Sequence, residues 1–439
     1  MDIRAAAAAA KESSYILAAQ SGQIRDFALE SIIDSLRANR GAIIAENEKD
    51  LEAAEHAGLP APIVKRLRFD GGKIDEVIAG IGDLIKLPNP LGKTIAAREL
   101  DEGLRLEQVT CPIGVIGVIF ESRPDALVQI ASLCIKSGNC AVLKGGSEAA
   151  HTNRILFENI QAAGLAAGLP VGFLTLAESR EEISSLLHCD ESIDLIIPRG
   201  SNEFVKYIMD NSNIPVMGHA DGVCHVYVDE CADIEKAVPI VRDSKVQYAA
   251  ACNAAETVLV HRGIADRLLP PLGAELGSRG VTVRGTDDVR RLLPEAEAAS
   301  DADWRTEYLD LVLSIRLVDS ANEAIRHINA YGSHHTDCIV TESDETAELF
   351  MRLVDSAGVY RNCSTRFADG FRYGLGAEVG ISTGKLHARG PVGLDGLTTY
   401  KYKLTGNGHI VDDYASGKKS FHFKELQPDI AYLTHGFIE

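Results

Sequence analysis

The chain has 439 residues, a net charge of −19 and an apolar fraction of 46%. At about 150 residues per domain, this length favours two or three domains. A strongly acidic chain is a poor candidate for a nucleic-acid binder, because contacts to phosphates need an excess of Lys and Arg. Small anionic ligands are still compatible with this charge, since a local basic pocket can form within an acidic protein.

The cysteines and the first residues of the chain both favour a cytoplasmic location. The nine cysteines are scattered, and no pair has the C-x-x-C spacing of a zinc or redox site. Such a set is typical of reduced thiols. The opening segment MDIRAAAAAAKESS lacks the long apolar run of a signal peptide and predicts a helix. No segment reaches the roughly 18 apolar residues of a membrane span.

The first third of the chain predicts helices, then a hairpin and a buried strand. Residues 1–90 are expected to be helical, because apolar residues between 24 and 36 recur at spacings of three and four. Residues 97–110 predict a β-hairpin around an Asp-Glu-Gly turn. The apolar run 113–120 predicts a buried strand, and a helix is expected after Pro124.

Beyond residue 140 the chain alternates between apolar strands and helices. This alternation predicts parallel sheets covered by helices on both faces, in two α/β domains. The residues after His409 are polar and have no clear period, so we interpret them as an appended arm. In the second half we expect strands over 256–261, 313–319, 338–341 and 358–362 and helices over 264–276 and 345–356.

Two strand-to-helix turns are candidates for nucleotide binding, although the usual G-x-G-x-x-G motif is absent. The first is Lys144-Gly145-Gly146-Ser147, and the second is Arg199-Gly200-Ser201. Glycines allow close approach of the backbone to a phosphate, and the amides at a helix N-terminus attract anions. Each turn alone is equally an ordinary turn with a serine N-cap. Because two such turns occur in successive strand–helix units, we weight nucleotide binding and an ordinary turn equally.

The residues alone do not assign Cys252 or the pair His334-His335 to chemistry. A cysteine in an Ala-rich segment is more often a packing residue than a nucleophile, which needs an electropositive, accessible setting. Adjacent histidines point in different directions, and no third ligand has suitable spacing. We therefore predict no metal site and expect His334-His335 to lie in a solvated loop.

Seven long segments occur in a characteristic order: PIGVIGVIFESRPDA, CAVLKGGSEA, LIIPRGSNEFV, IPVMGHADGVCHVYVD, ACNAAETVLVH, STRFADGFRYGLGAEVGISTGKLHARGP and GLTTYKY. Together they resemble the aldehyde dehydrogenase superfamily, and within it the family that reduces γ-glutamyl phosphate. The resemblance extends from about residue 10 to about residue 410.

The resemblance implies an aldehyde dehydrogenase-like fold with two doubly wound α/β domains and a β-hairpin oligomerisation element. An NADP(H)-binding domain would cover 1–220, interrupted by the hairpin 97–111, and a catalytic domain would cover 221–390. The oligomerisation element would combine 97–111 with 395–410, followed by a C-terminal arm over 411–439. The implied assembly is a homo-oligomer.

The resemblance also assigns cofactor contacts. Lys144 falls at the lysine that contacts the adenosine ribose, and Ser147 shares its turn. Gly200 and Ser201 fall near the cofactor phosphates. Glu307 falls at the glutamate that holds the nicotinamide ribose.

Cys252 falls at the nucleophile of the superfamily, but two neighbouring features depart from the pattern. Hydrolytic members carry a glutamate base where this chain has Gly218 and His219, which disfavours attack by water on an acyl-enzyme. Glu121-Ser122-Arg123 stands where those enzymes have the asparagine of the oxyanion hole. The remaining candidate donors are the backbone N–H of Cys252 and Asn253.

The implied activity is the NADPH-dependent reduction of γ-glutamyl phosphate to glutamate 5-semialdehyde and phosphate, through a thioester on Cys252. This is the second step of proline synthesis from glutamate. Arg123 and Arg366 are candidates for contacts to the phosphate or the glutamyl carboxylate, and equally for surface or structural arginines. A separate glutamate 5-kinase would supply the substrate and is a candidate partner.

Three other functions remain as alternatives. An NAD(P)-dependent dehydrogenase that oxidises a small aldehyde to the acid would be independent of phosphate. A cysteine amidase would need a Lys or Glu partner for Cys252 and no nucleotide. A non-catalytic nucleotide-binding scaffold would tolerate loss of the Cys252 thiol.

Overall fold

The computed structural model describes residues 2–178, 181–218 and 221–427. The chain divides into two compact units. Unit 1 comprises Met1–Gly200, Ile208–Val216 and Gly393–Glu439, and unit 2 comprises Ser201–Tyr207 and Met217–Val392. Within the described residues, no helix is long and apolar enough to cross a membrane.

Five helices open the chain and confirm the predicted helical region. The Asp2 carboxylate accepts the N–H groups of Arg4 and Ala5, which caps the helix of the alanine run. The helices are α1 (Ile3–Ala19), α2 (Gly22–Ala38), α3 (Arg40–His56), α4 (Ala61–Leu67) and α5 (Gly71–Lys86).

A β-hairpin follows, formed by β1 (Thr94–Asp101) and β2 (Leu104–Pro112). The two strands pair antiparallel around Gly103, whose φ of 75° suits glycine at the turn. The hairpin predicted for 97–110 is confirmed, although its first strand begins earlier and its second ends later.

Unit 1 contains a parallel sheet with the order β5-β4-β3-β6. Every residue of β3 and β4 is buried, in agreement with their continuous apolar sequence. The chain adds β6 on the opposite side of β3 from β4, so the strand order reverses at β3. The elements are β3 (Val115–Phe120), α6 (Pro124–Lys136), β4 (Cys140–Gly145), α7 (Ala150–Ala166), β5 (Leu174–Ala177), α8 (Glu181–Leu186) and β6 (Leu195–Arg199). Helix α9 (Asn202–Asn211) follows, and its residues up to Tyr207 belong to unit 2.

Unit 2 is built on a parallel sheet of seven strands with the order β10-β9-β11-β8-β7-β12-β13. The strands and helices predicted for this half are confirmed, with small shifts at their ends. The elements are β7 (Cys224–Val228), α10 (Ile234–Val246), β8 (Ala255–His261), α11 (Ala265–Ser278), β9 (Thr282–Gly285), α12 (Asp287–Leu292), β10 (Glu297–Ala298), β11 (Val312–Val318), α13 (Ala321–Tyr331), β12 (Thr336–Val340), α14 (Asp344–Leu353), β13 (Gly358–Arg361), β14 (Gly380–Ser382) and β15 (Gly390–Val392).

The last part of the described chain returns to the hairpin. It contains β16 (Thr398–Thr405), α15 (Val411–Ala415) and β17 (Lys424–Leu426). Strand β16 pairs with β2 and β17 pairs with β1, both antiparallel, which gives the sheet order β16-β2-β1-β17. The arm, in which the sequence showed no period, therefore contributes a strand to this sheet. A three-residue strand with exposed side chains is too short to leave a detectable pattern.

Candidate active site

The two glycine-containing turns of unit 1 leave the same edge of its parallel sheet. Phe120 at the end of β3 lies opposite Gly145 on one side and Arg199 on the other. The Glu121 N–H donates to the carbonyl of Arg199 at 2.9 Å, which extends this alignment past the strand ends. Carboxyl ends of parallel strands at a reversal of strand order are where open α/β sheets bind ligands.

The first turn presents a lysine and a serine at this edge. Lys144 is buried, and its ammonium donates to the carbonyl of Gly145 at 2.5 Å. Ser147 is exposed where the chain turns towards α7. An ammonium, a hydroxyl and glycine backbone are the donors that ribose and phosphate groups require, so this turn fits a dinucleotide.

Ser122 follows β3 and has a strained backbone conformation, which its hydrogen bonds to Glu148 maintain. Its φ is 47°, in the left-handed region, and both its N–H and its hydroxyl donate to Glu148 Oε1 at 2.7 Å. A Cβ on Gly146 would lie 2.1 Å from the same oxygen. The Glu148 carboxylate is therefore fixed against Ser122, and Arg123, one of the predicted anion contacts, is exposed beside it.

In unit 2, Cys252 lies at the amino-terminal edge of the seven-stranded sheet. Strands β7 and β8 begin at Cys224 and Ala255, which are paired neighbours. The Cys224 thiol donates to the carbonyl of Cys252 at 3.3 Å. Burial holds the pKa of the Cys224 thiol well above its usual range, so this side chain remains a neutral S–H donor. The half-buried Cys252 is thereby held through its backbone.

Gly222 brings the nucleophile turn and Glu307 together. A Cβ built on Gly222 would lie 2.2 Å from the carbonyl oxygen of Cys252 and 2.6 Å from its Cα. The same Cβ would lie 2.6 Å from Glu307 Oε1. Two residues far apart in the sequence and assigned separately by resemblance thus flank a single glycine.

Glu307 is held by Asn202, the first residue of α9, which follows the second turn. The carboxamide of Asn202 donates to Glu307 Oε2 and lies 3.2 Å from Asp221 Oδ1. Burial raises the pKa of Glu307, and the hydrogen bond from Asn202 opposes this shift. The preceding Ser201 accepts the Phe204 N–H at 3.4 Å and so caps α9.

Asn253 fastens the nucleophile turn to a neighbouring segment. The buried side-chain carboxamide of Asn253 donates to the carbonyl of Ala368 at 2.8 Å. The backbone carbonyl of Asn253 accepts the hydroxyl of Thr365 at 2.7 Å. One N–H of this carboxamide is thus engaged within the protein. The position of its Cα and backbone is fixed from both sides.

Arg366 belongs to the segment that packs on this turn. Its Nε donates to Gln247 Oε1 at 2.9 Å, and its guanidinium lies 5.9 Å from the centre of the Tyr248 ring. Burial lowers the pKa of Arg366, the neighbouring Arg372 adds to this, and Cys252 opposes it. Arg366 is therefore fixed on the segment whose neighbouring residues Thr365 and Ala368 bond to the Cys252–Asn253 turn.

The predicted site residues fall into two groups. Unit 2 brings Cys252, Asn253, Glu307 and Arg366 around one turn, and the carboxyl edge of unit 1 carries Lys144, Ser147, Gly200 and Arg123. The ninth residue, Ser201, follows Gly200 and is the first residue of the segment Ser201–Tyr207 of unit 2. Gly218 is described, but the adjacent His219 lies outside the described residues. The solvated-loop interpretation was wrong for His335, which is buried with Nδ1 at 3.0 Å from Thr336 Oγ1.

Sequence reasoning missed several residues of the unit 2 site. Gly222 and Asn202 stand inside the quoted segments HADGVCHV and RGSNEFV, so the signal was present but not interpreted. Cys224 stands inside the first of these segments as well, with no local signal of its contact to Cys252. Lys245 and Glu256 form a fully buried ion pair close to the turn, and nothing in their spacing predicted it.

A model of the aldehyde dehydrogenase family matches residues 1–288, about two thirds of the chain. The chain belongs to the aldehyde dehydrogenase family. The predicted superfamily and fold class are thereby confirmed.

Curated relatives cover almost the whole chain. A γ-glutamyl phosphate reductase of Ruminiclostridium cellulolyticum is 57% identical over 430 residues, which are 98% of this chain and 99% of that protein. The γ-glutamyl phosphate reductase of Acetivibrio thermocellus is 57% identical over 97% of this chain and 99% of its own length. The resemblance to the family that reduces γ-glutamyl phosphate is therefore confirmed.

Solved structures agree with these relatives. The crystal structure of γ-glutamyl phosphate reductase from Thermotoga maritima is 38% identical, with a TM-score of 0.92 over 93% of this chain and all of that one. A glyceraldehyde-3-phosphate dehydrogenase of Methanocaldococcus jannaschii, complexed with NADP, shares the fold at 16% identity, with a TM-score of 0.64 over 92% of this chain and 94% of that one.

Replacing Gly222 by alanine is expected to displace the Cys252 turn, because the added Cβ has no space beside Cys252 and Glu307. A displacement of this size should lower aldehyde-dependent reduction of a nicotinamide cofactor by about 100-fold. The rate at which iodoacetamide alkylates Cys252, followed by mass spectrometry, should change as well.

The matched control is Gly277→Ala, at a position near the end of α11 where a Cβ meets no atom within 4 Å. This variant should react and turn over like the wild type. Wild-type rates in Gly222→Ala would show that the close approach at Gly222 does not position the nucleophile.

Proposed function

We propose that the chain catalyses the NADPH-dependent reduction of γ-glutamyl phosphate to glutamate 5-semialdehyde and phosphate, in proline synthesis. The observation that carries this proposal is the convergence of Cys252 and Glu307 on Gly222 in a member of the aldehyde dehydrogenase family. The identity of 57% to γ-glutamyl phosphate reductases along nearly the whole chain supports the choice of substrate.

In the first step, the Cys252 thiolate attacks the γ-carbonyl carbon of the acyl phosphate. A carbon–sulfur bond forms, the carbon–oxygen bond to phosphate breaks, and inorganic phosphate leaves. The Arg366 guanidinium is on the segment bonded to the Cys252–Asn253 turn, and we assign it to attraction of the anionic substrate. A thioester on Cys252 remains.

The oxyanion formed during this attack needs hydrogen-bond donors that are already in place. We assign this role to backbone N–H groups of the Cys252–Asn253 turn, because contacts from Cys224, Thr365 and Ala368 fix that backbone. A preorganised donor of this kind contributes about 3–4 kcal/mol to transition-state stabilisation.

Lys144, Ser147, Gly200, Ser201 and Glu307 would hold the cofactor. Lys144 and Ser147 would contact the adenosine ribose and its phosphate, the second turn the pyrophosphate, and Glu307 the nicotinamide ribose. When bound, NADPH supplies the hydride that reduces the thioester carbonyl. Cys252 is then released as the aldehyde leaves, and Gly218 provides no carboxylate to activate a competing water.

The immediate test is NADP⁺ reduction with glutamate 5-semialdehyde, with and without inorganic phosphate. We expect turnover that requires phosphate, because phosphate must cleave the thioester in the reverse direction. Cys252→Ala should lower this turnover by about 1,000-fold or more, since covalent catalysis is lost.

The control is Cys231→Ala, which removes an exposed thiol of the same unit and should leave turnover unchanged. Turnover that is independent of added phosphate would favour the alternative function, oxidation of the aldehyde to the free acid. An active Cys252→Ala variant would exclude the covalent route.

The preference for NADPH is a separate part of the proposal. It rests on the Lys144 ammonium in the first turn, since a 2′-phosphate binds cations. Lys144→Met should raise the KM for NADPH by about 10-fold and the KM for NADH much less. Equal effects on the two cofactors would remove Lys144 from recognition of the 2′-phosphate.

We also propose that the chain forms a homo-oligomer through β16, in the cytoplasm. Strand β16 is at the edge of its sheet, whereas β17 covers the opposite edge at β1. Tyr400, Tyr402 and Leu404 alternate along β16 and are all exposed, which leaves an apolar row beside unpaired backbone groups. The kinase that supplies the acyl phosphate is a candidate for a further partner.

Replacing Tyr402 by glutamate should shift the assembly towards the monomer of 47.2 kDa, as measured by light scattering after gel filtration. A charge within an apolar contact costs several kcal/mol when it is buried without a partner. Lys401→Glu changes the charge on the opposite face of the same strand and serves as the control. An unchanged mass for Tyr402→Glu would argue against this edge as the interface.

A further inference from the structure

A fully buried ion pair lies beneath the Cys252 turn. Lys245 Nζ is 2.6 Å from Glu256 Oε2, and neither side chain has any exposed surface. Lys245 is the penultimate residue of α10, and Glu256 is the second residue of β8. The pair therefore joins the two chain segments that flank the Cys252 turn.

The same ammonium contacts the segment that carries Glu307. Lys245 Nζ lies 5.8 Å from the centre of the Tyr308 ring, within the range of a cation–π interaction. The Tyr308 hydroxyl is in turn bonded to Asp303 Oδ1 at 2.5 Å and to Ser314 Oγ at 2.7 Å. Tyr308 is thus fixed at both ends, and it fixes the backbone of its neighbour Glu307.

The charged groups around Lys245 and Glu307 indicate which carboxylate the Lys245 ammonium stabilises. It faces four anionic or ionisable groups: Glu256, Glu307, Asp310 and Cys224. Glu307 faces the further negative charge of Asp221, and both burial and Asp221 raise the pKa of Glu307. The Asn202 hydrogen bond, the Gly222 N–H and the Lys245 ammonium act in the opposite direction.

A buried ion pair needs a reason other than stability. Replacing such a pair by apolar residues of similar volume is often neutral or stabilising, because the desolvation of both charges offsets their attraction. Packing therefore does not account for a lysine and a glutamate at these two positions. Their positions beside Tyr308 and the nucleophile turn offer a functional account.

We propose that Lys245, held by Glu256, is a positioning residue that keeps the Glu307 carboxylate ionised and in place beside the Cys252 turn. This inference rests on the proposed role of Glu307 in holding the ribose of the nicotinamide. An ionised carboxylate accepts hydrogen bonds from both ribose hydroxyls, whereas a protonated one has lost acceptor capacity. Lys245 thereby supports cofactor binding without touching the cofactor.

The test uses the full chain and measures the dissociation constant of NADPH by its fluorescence, from about pH 6 to about pH 9. The main variant is the double replacement Lys245→Met with Glu256→Leu, which keeps the volume and removes both charges. Its affinity for NADPH should be about 10-fold weaker than that of the wild type at neutral pH. Lys245 opposes the protonation of Glu307 and the Glu256 carboxylate favours it, and we expect the cation to dominate. Without the pair more of Glu307 is then protonated, so the loss should shrink as the pH rises.

Glu307→Gln separates an electrostatic role from a purely structural one. In this background, adding the double replacement should leave the dissociation constant unchanged, because the group on which Lys245 acts is already neutral. A loss of affinity that persists in the Glu307→Gln background, or wild-type affinity of the double variant at every pH, would overturn the proposal.

Two further comparisons keep the result interpretable. Lys236→Met removes an exposed lysine of the same helix, paired with Glu342 at 2.9 Å, and should bind NADPH like the wild type. Wild type compared with Glu307→Gln tests the ionisation of Glu307 even if the double variant does not fold. Their pH profiles should differ, and identical profiles would reject the inference.

Binding is measured without substrate, so the outcome is distinct from that of the proposed reaction. A wild type that binds NADPH with the expected pH dependence but does not reduce the acyl phosphate would refute the substrate and leave the role of Lys245 intact. A wild type that does not bind NADPH would refute both.

Discussion

The close approach of three chain segments at Gly222 is the constraint on which the unit 2 site depends. The backbone of Cys252 and the carboxylate of Glu307 both occupy space that a side chain at this position would fill. Glycine is required here by proximity and not by an unusual backbone angle, since Gly222 is not among the glycines with positive φ. The nucleophile and the proposed cofactor ligand therefore share one boundary, and a change at either one is transmitted to the other.

The backbone of Cys252, the proposed nucleophile, is held by contacts on both of its sides. The Cys224 thiol binds the carbonyl of Cys252, and the Asn253 carboxamide and the Thr365 hydroxyl secure the next residue. This arrangement keeps the amide donors of the turn in place while the proposed covalent bond to Cys252 forms and breaks. Catalysis through a tetrahedral oxyanion gains most from donors that do not move during the reaction.

The sequence predicted the fold well because the strands of both parallel sheets are continuously apolar and the glycine-containing turns follow them directly. The candidate residues Cys252 and Glu307 came from resemblance, since an Ala-rich cysteine and a loop glutamate carry no local signal. The contacts that define the site could not be predicted, because they join residues far apart in the chain. Gly222 meets Glu307 and Asn253 meets Ala368 only when unit 2 has folded, and the closer pair Lys245 and Glu256 is brought together by the same fold. The strand β17 was missed for a similar reason, since its partner β1 lies at the other end of the chain.

The site residues of unit 1 lie at the carboxyl ends of its parallel strands, whereas those of unit 2 lie at the amino ends. This difference is consistent with the chemistry proposed for each unit. Unit 1 offers the carboxyl ends of β3, β4 and β6, where the following helices begin and their amides attract phosphate. Unit 2 offers the amino ends of β7 and β8, where Cys252 lies between the end of α10 and the start of β8 and not at a helix N-terminus. There the positive charge comes from side chains, from Arg366 on the segment bonded to the turn and from the buried Lys245 at the end of α10. Side-chain cations can be placed individually, so one can attract the anionic substrate while the other keeps a neighbouring carboxylate ionised. A helix dipole would act on both groups at once, stabilising the anions without distinguishing between them.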